Sequence, residues 1–352
     1  MKNTKPPMFI HTHGLNKLDK DDQHQGSLVK KGENKRNIQK QIQHFQNLSL
    51  CALLSIDIFA DKTVLTGGSV LNLVYNVHKR VSVDLDLSLE SPILPDEYVR
   101  LETELDYNFD KAFSKEKYKV LNSRLEIRSL NLHNKFSSEN LFNPKEILYK
   151  YVFQLMDLHE YEEICNHPGR TKKQKEARCR ESIIELPNKK KFFEIDFKWE
   201  GPIIEKQVYE INNYTLEAPS PFILFCKKMI GILAHSPHIG DTPEKFKRAR
   251  SQDFFDIHSL IDSQMIHLQD LIQSNHLSIF QAMLTEKNIE TSSLKDLKKH
   301  REFHQSNFVD SVRNMSLFPL KSFEYYFDCI IHLIDYMYPF LTTLKSVQSP
   351  HS

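Results

Sequence analysis

Residues 65–89 read LTGGSVLNLVYNVHKRVSVDLDLSL, and the fold turns on this stretch. Gly67 and Gly68 let the backbone turn tightly and come close to a bound group. Ser69 follows at a predicted helix start, where unpaired N–H groups and the helix dipole favour phosphate. The G-x-x-x-x-G-K-S/T pattern of a P-loop is absent. The apolar run VLNLVYNVH predicts a helix closed by Lys79-Arg80, since basic residues are favoured near a helix C-terminus. From Val83 to Leu89, VDLDLSL alternates strictly, as a half-buried strand does. Residues i and i+2 of a strand share a face, so Asp84 and Asp86 lie side by side. Adjacent carboxylates repel unless protons or a metal offset their charge. A hard cation such as Mg2+ suits oxygen ligands, and beside a phosphate-binding turn it would bridge triphosphate oxygens. In the competing reading Leu85, Leu87 and Leu89 face the core and the aspartates merely face water. The Gly-Gly-Ser turn just upstream weighs against it.

Working outward, TVLT at 63–66 predicts a strand and residues 36–60 a helix. Residues 93–120 read as helical, LEIRSLNLH as a strand, and 134–146 as a polar stretch. Ile147 to Ile164 mixes apolar and acidic residues and resists assignment; 165–180 reads as a basic connector. Phe192 to Trp199 (FFEIDFKW) alternates again and stops at Gly201-Pro202. On it Glu194 and Asp196 share one face with Lys198, while Phe193, Ile195 and Phe197 share the other. Beside the Asp84 strand one of these acids, Asp196 in preference to Glu194, would complete a two-metal site or help deprotonate an acceptor hydroxyl. Residues 208–216 predict another strand, and Pro219 and Pro221 punctuate it. Helical signals dominate thereafter, in PFILFCKKMIGILAH, QDFFDIHSLIDSQ and the aromatic-rich segment ending near Phe340. The expectation is an α+β fold: a polar arm over 1–35, a mixed-sheet core over 36–217, and a mainly helical domain over 218–352.

A chain of 352 residues can hold two modest domains. Its 40 % hydrophobic and 26 % charged residues fit a soluble globular protein. Cys51, Cys165, Cys179, Cys226 and Cys329 are scattered with no CxxC pair, which argues against a disulfide framework or a thiolate zinc site. Neither a signal peptide nor a membrane span is legible, so a cytoplasmic home without a membrane partner is expected. The formal charge is +1, but basic runs lie at 30–40, 170–180 and 245–250. They read as solvated surface or as local patches for a polyanion. The 17 histidines include no HExxH, and His235 and His238 read as surface residues. Trp199 reads as capping a core, and FEYYFDCIIHLIDYMYPF as core packing or a partner interface.

Taken together, Leu65-Thr66-Gly67-Gly68-Ser69 and Arg80-x-Ser82-x-Asp84-Leu85-Asp86 resemble the AbiEii/AbiGii toxin-type nucleotidyltransferases of the DNA polymerase beta-like superfamily. Two later features are similar as well. Lys228 in CKKMIG stands at the family's helical lysine, with Lys227 as the fallback. Gln252-Asp253-Phe254-Phe255-Asp256-Ile257 looks like its R-D-x-x-D segment, except that Gln252 stands where arginine is usual; Arg250 or Arg248 could supply a guanidinium nearby. The resemblance implies a polymerase beta-like nucleotidyltransferase core. It implies metal binding by Asp84, Asp86 and Asp196, nucleotide binding by Gly67, Gly68, Ser69, Arg80 and Lys228, and a supporting role for Asp253. Asp256 is expected to hold a base from the KFKRAR run. The implied chemistry is Mg2+-dependent transfer of a nucleotide from an NTP to RNA, especially the tRNA 3′ end. A separately encoded antitoxin and growth arrest belong to the same picture. The alternatives are transfer to a small molecule or a protein hydroxyl, and a non-catalytic RNA-binding or interaction protein on a decayed transferase scaffold.

Overall fold

The computed structural model describes residues 25–60, 62–77, 79–129, 147–200, 203–211, 214–316 and 318–347. At its centre is a seven-stranded sheet in the order β3-β4-β5-β2-β1-β7-β6. The strands are β1 (Thr63–Thr66), β2 (Leu85–Leu89), β3 (Tyr118–Ser129), β4 (Ile147–Asp157), β5 (Phe193–Trp199), β6 (Lys206–Ile211) and β7 (Tyr214–Pro219). The sheet is mixed: β2 runs parallel to β5 and β1 parallel to β7, and the other neighbours are antiparallel. Strand alternation splits it into an aromatic face and a polar face.

The aromatic face is closed by helices α1 (Gln25–Leu54), α2 (Asp57–Ala60) and α4 (Pro95–Lys115). Leu65, Leu87, Phe197 and Tyr149 form one cross-strand row of it. Tyr149 and Phe197 stack with centroids 5.6 Å apart. Phe45 of α1 meets Phe193 edge-on at 5.4 Å, Phe59 of α2 meets Phe197 at 5.2 Å, and Phe109 of α4 lies 4.8 Å from Tyr151. These rings anchor the sheet: truncating any one of the fully buried phenylalanines to alanine costs about 3–5 kcal/mol.

Several elements differ from the sequence expectation. The helix expected from residue 36 starts at Gln25; residues 1–24 of the expected arm lie outside the described residues. Helix α3 spans only Ser69–Leu73. Asn76 turns the chain into the left-handed region at φ 55°, a conformation Asn tolerates better than most residues, and the Val77 N–H closes onto the Leu71 carbonyl at 2.7 Å. Residues 80 and 81 then pair with the distant segment 315–316, through an Arg80–Ser316 bridge and a 2.8 Å bond from the Val81 N–H to the Met315 carbonyl. That long-range pairing is invisible to local periodicity.

The unassigned stretch 147–164 is β4 followed by α5 (Leu158–Asn166). β4 is covered on both faces, so it lacks the alternation of a half-buried strand. The Asp157 carboxylate accepts the Glu160 N–H at 2.9 Å and starts α5. The basic connector contains helix α6 (Lys172–Glu181), opened by a Thr171/Gln174 capping box and burying none of its residues. The single strand expected at 208–216 is the β6–β7 hairpin. Of the LEIRSLNLH stretch, residues 125–129 belong to β3; 130–133 and the polar stretch 134–146 lie outside the described residues.

Beyond β7 the chain is helical: α7 (Pro221–His235), α8 (Ser251–Asp262), α9 (Ser274–Glu286), α10 (Arg301–Gln305) and α11 (Phe323–Val347). Ser220 caps α7 by accepting the Ile223 N–H at 3.3 Å, with Pro221 in the first turn where its missing N–H costs nothing. Phe254 stacks on Phe327 and Phe255 meets Tyr326 edge-on, so the aromatic segment of α11 packs into the core. Trp199 donates its indole N–H to the Glu90 carbonyl at 3.2 Å. Among the described residues no helix is long and apolar enough to cross a membrane.

Candidate active site

The polar face of the sheet carries a cross-strand row. Thr66 on β1 lies opposite Asp86 on β2, Asp86 opposite Asp196 on β5, and Asp196 opposite Lys150 on β4. Asp84 sits just before β2. Burial, together with Asp84 and Asp196, pushes the Asp86 carboxyl up to about 6, against the opposing pull of Lys228 and Lys198. Asp84 is raised too, by burial and by Glu194 and Asp196, with Lys190 and Lys150 opposing. The two acids nearest the Gly-Gly turn therefore carry negative charge that the protein only partly offsets. Across the row Lys150 does the reverse. Its ammonium lies 2.7 Å from Glu194 and 2.9 Å from Asp196, and Lys190 adds a 3.2 Å contact to Glu194. Burial alone would raise Glu194, yet Lys150 and Lys190 hold it below the ordinary carboxylate range.

The turn between β1 and α3 is fitted to this row. Gly67 has φ +70°, and a Cβ there would lie 2.0 Å from Oδ2 of Asp86. Glycine is required twice over, for backbone conformation and for the approach of the carboxylate. A Cβ on Gly68 would lie 2.8 Å from both the Arg80 guanidinium and the Ser82 hydroxyl. Ser69 is fully buried, and its hydroxyl donates to the Thr66 carbonyl at 3.1 Å. Its hydroxyl thus braces the turn from inside.

The C-terminal helices add a buried ionic chain. Arg80 donates from Nε and Nη2 to the two oxygens of Asp256, each at 2.7 Å. Lys228 of α7 lies 2.6 Å from Asp256 and 3.3 Å from Asp253. Arg250 reaches Asp253 at 2.5 Å. Asp256 is fully buried, which alone would raise its pKa, yet Arg80 and Lys228 hold it below the ordinary range. Gly231 makes room for the outer pair, since a Cβ there would meet the Arg250 guanidinium at 3.3 Å. Of the two arginines expected near Gln252, Arg250 is the one that reaches Asp253. Asp256 does not hold a base from the KFKRAR run: its partners are Arg80 and Lys228, and Asp253 takes Arg250 instead. Lys227 is not part of this chain and pairs with Glu200 at 2.7 Å.

Two histidines lie beside this chain. His304 is fully buried; its Nδ1 accepts the Arg250 backbone N–H at 3.2 Å, and its Nε2 meets the Ser236 hydroxyl at 2.8 Å. The hydroxyl itself donates to the Ile232 carbonyl, so Nε2 carries the proton and the ring is neutral. Burial, reinforced by His300, depresses its pKa to about 3. His235 is lowered to about 4 by burial and by Arg250 and Arg248.

Among the described residues no group of three or more His, Cys, Asp or Glu side chains forms a ready-made metal cage. The donor chemistry nevertheless fits magnesium. This ion is held by one or two carboxylates plus substrate phosphates rather than by an all-protein cage. Asp84 and Asp86, hard oxygen donors whose mutual repulsion is only partly offset, are such a pair. Sequence reading missed Lys150, although a lone lysine inside the apolar run ILYKYVFQLM is a signal once β4 is known to be a strand.

A mixed sheet with paired acids at a Gly-Gly turn, closed by helices that bring in a lysine and further acids, defines a nucleotidyltransferase core. Over residues 49–328 the sequence matches the family described as nucleotidyl transferase AbiEii toxin, type IV TA system, and the chain belongs to that family. Among solved structures it is similar to the crystal structure of JHP933 from Helicobacter pylori, at 14 % identity and a TM-score of 0.40, over 91 % of this chain and 98 % of that one. No curated protein matches it.

Proposed function

We propose that this chain is a magnesium-dependent nucleotidyltransferase that moves an NMP from an NTP onto an RNA hydroxyl, the tRNA 3′ end in particular, as a toxin-like growth-arrest or phage-defence component held in check by an antitoxin in the cytoplasm. The observation that supports it is the Asp86–Asp196 register beside Gly67, with Asp84 preceding β2. Asp84 and Asp86 would hold magnesium against the triphosphate. The ion would withdraw charge from the phosphate oxygens and ease departure of pyrophosphate. The Gly67-Gly68 backbone and the N–H of Ser69 lie along the phosphates, and Lys228 and Arg80 supply positive potential behind them. Asp196 orients the acceptor hydroxyl and takes its proton as the oxygen bonds to the α-phosphorus and the bond to the β-phosphate bridge breaks. Asp253 holds Lys228 in place. Lysines and arginines of the exposed helix α6 offer a contact for the RNA backbone.

The test incubates the protein with magnesium, each α-labelled NTP in turn and total tRNA, beside an Asp84→Ala/Asp86→Ala control. Label on tRNA with the intact protein alone is the expected result and names the nucleotide. Label on protein or on a small-molecule fraction instead would discard the RNA acceptor. No transfer to any acceptor by folded protein would overturn the enzymatic reading.

A further inference from the structure

We propose that Lys150 is a positioning residue that stands in for a second metal ion, so that the acid row takes a single divalent cation, at Asp84 and Asp86. The inference rests on the nucleotidyltransferase reading of the site. Lys150 lies on β4, its side chain 10 % exposed, directly across from Asp196. Its ammonium touches one oxygen of Asp196 at 2.9 Å and one of Glu194 at 2.7 Å. It thus sits on the flank of Asp196 away from Asp86, at the end of the row Asp86, Asp196, Lys150.

Charge decides what the row can bind. Asp196 and Glu194 are neutralised by Lys150 and Lys190. Among the described residues neither Asp84 nor Asp86 has a cation at ion-pair distance; Lys190, Lys150, Lys228, Lys198, Arg80 and Arg248 act on them only at longer range. A divalent ion is therefore drawn to the Asp84/Asp86 end. A second one at Asp196 would have to displace a buried ammonium or sit against it, and like charges a few ångströms apart in a partly desolvated site repel strongly. The lysine hydrogen-bonds Glu194 and lies in ionic contact with Oδ1 of Asp196, so it joins two acids two residues apart on one strand face.

The test is manganese binding to the full chain, followed by the electron-paramagnetic signal of free Mn2+ and needing no turnover. Wild type is expected to bind one Mn2+ per chain, and Asp84→Ala/Asp86→Ala to bind none. Asp196→Asn, with Lys150 intact, is expected to leave both stoichiometry and affinity within about threefold of wild type. Lys150→Gln is expected to add a second Mn2+ site or to tighten binding at least tenfold, and Lys150→Arg to behave as wild type. Circular dichroism shows whether each variant is folded. The Asp196→Asn arm carries the decision should Lys150→Gln fail to fold. Two Mn2+ per wild-type chain, loss of binding in Asp196→Asn, or a folded Lys150→Gln that binds as wild type would overturn the role of Lys150 while leaving the transferase reading intact. Wild type that binds no Mn2+ would overturn the single-cation inference, while the transferase reading stands or falls on the labelled-NTP assay.

Discussion

Arg80 grips Asp256 with two parallel hydrogen bonds of 2.7 Å, joining the segment that leads into β2 to helix α8 across 176 residues of sequence. Asp256 is fully buried and also carries Lys228, so this contact fixes the helical region against the acid row. Asp256→Asn leaves two buried cations short of a counter-charge and is expected to destabilise the protein by about 3–5 kcal/mol, read by urea unfolding. Arg80→Lys cannot reproduce the bidentate fork and recovers only part of that loss. Asp262→Asn, which breaks the exposed contact to Lys79, is expected to cost less than about 1 kcal/mol.

Gly67→Ala is expected to damage transfer far more than Gly68→Ala. At Gly67 the new Cβ meets the Asp86 carboxylate at 2.0 Å and the backbone must hold φ +70°. The acid must move, and transfer should fall roughly a hundredfold or more, because small misplacements of reacting groups carry large rate penalties. At Gly68 the nearest atoms, at 2.8 Å, belong to Arg80 and Ser82 rather than to an acid of the row, and the backbone φ is ordinary and negative, so Asp86 keeps its place. Initial rates at saturating NTP compare the two.

The raised pKa of Asp86 gives a pH signature. Its folded value of about 6 lies above the unfolded value of about 4. Between these the native state holds a proton that the unfolded chain has released. The resulting stability is present below about pH 4 and lost as pH rises through about 6. Asp86→Asn removes that loss: without metal its melting temperature is expected to match wild type near pH 4 and exceed it at pH 7, by an amount equivalent to roughly 3 kcal/mol. Transfer itself requires the ionised acid, so it should be absent in Asp86→Asn, and because a bound cation favours the carboxylate the pH at which wild-type activity rises should fall as magnesium is increased.

The two adjacent lysines of α7 separate cleanly. Lys228 is buried between Asp253 and Asp256, and Lys228→Met is expected to lower kcat/KM about a hundredfold and to reduce stability. Lys227 pairs with Glu200 instead of joining the Asp253/Asp256 chain, and Lys227→Ala should leave transfer within about twofold of wild type. Equal effects in the two variants would contradict this assignment of the helical lysine.

The sequence by itself determined the local devices. Alternation in VDLDLSL and FFEIDFKW specified β2 and β5 and put Asp86 and Asp196 on polar faces, because side-chain period follows from backbone geometry alone. The Gly-Gly turn and the helical run beginning at Pro221 were legible for the same reason: each is a conformational preference of adjacent residues. Only the tertiary structure decided which strands are neighbours, and with that everything that depends on pairing between distant segments. Lys150 entered the acid row because β4 lies beside β5, and β4 itself was hidden because burial on both faces erases alternation. Beyond the short α3, residues 80 and 81 pair with 315 and 316, a contact no local periodicity shows. Arg250 reaches Asp253 because Gly231, on another helix, leaves space for it. Ionic partners across such distances are chosen by which side chains share a buried volume, a property of the packed chain that no sequence window contains.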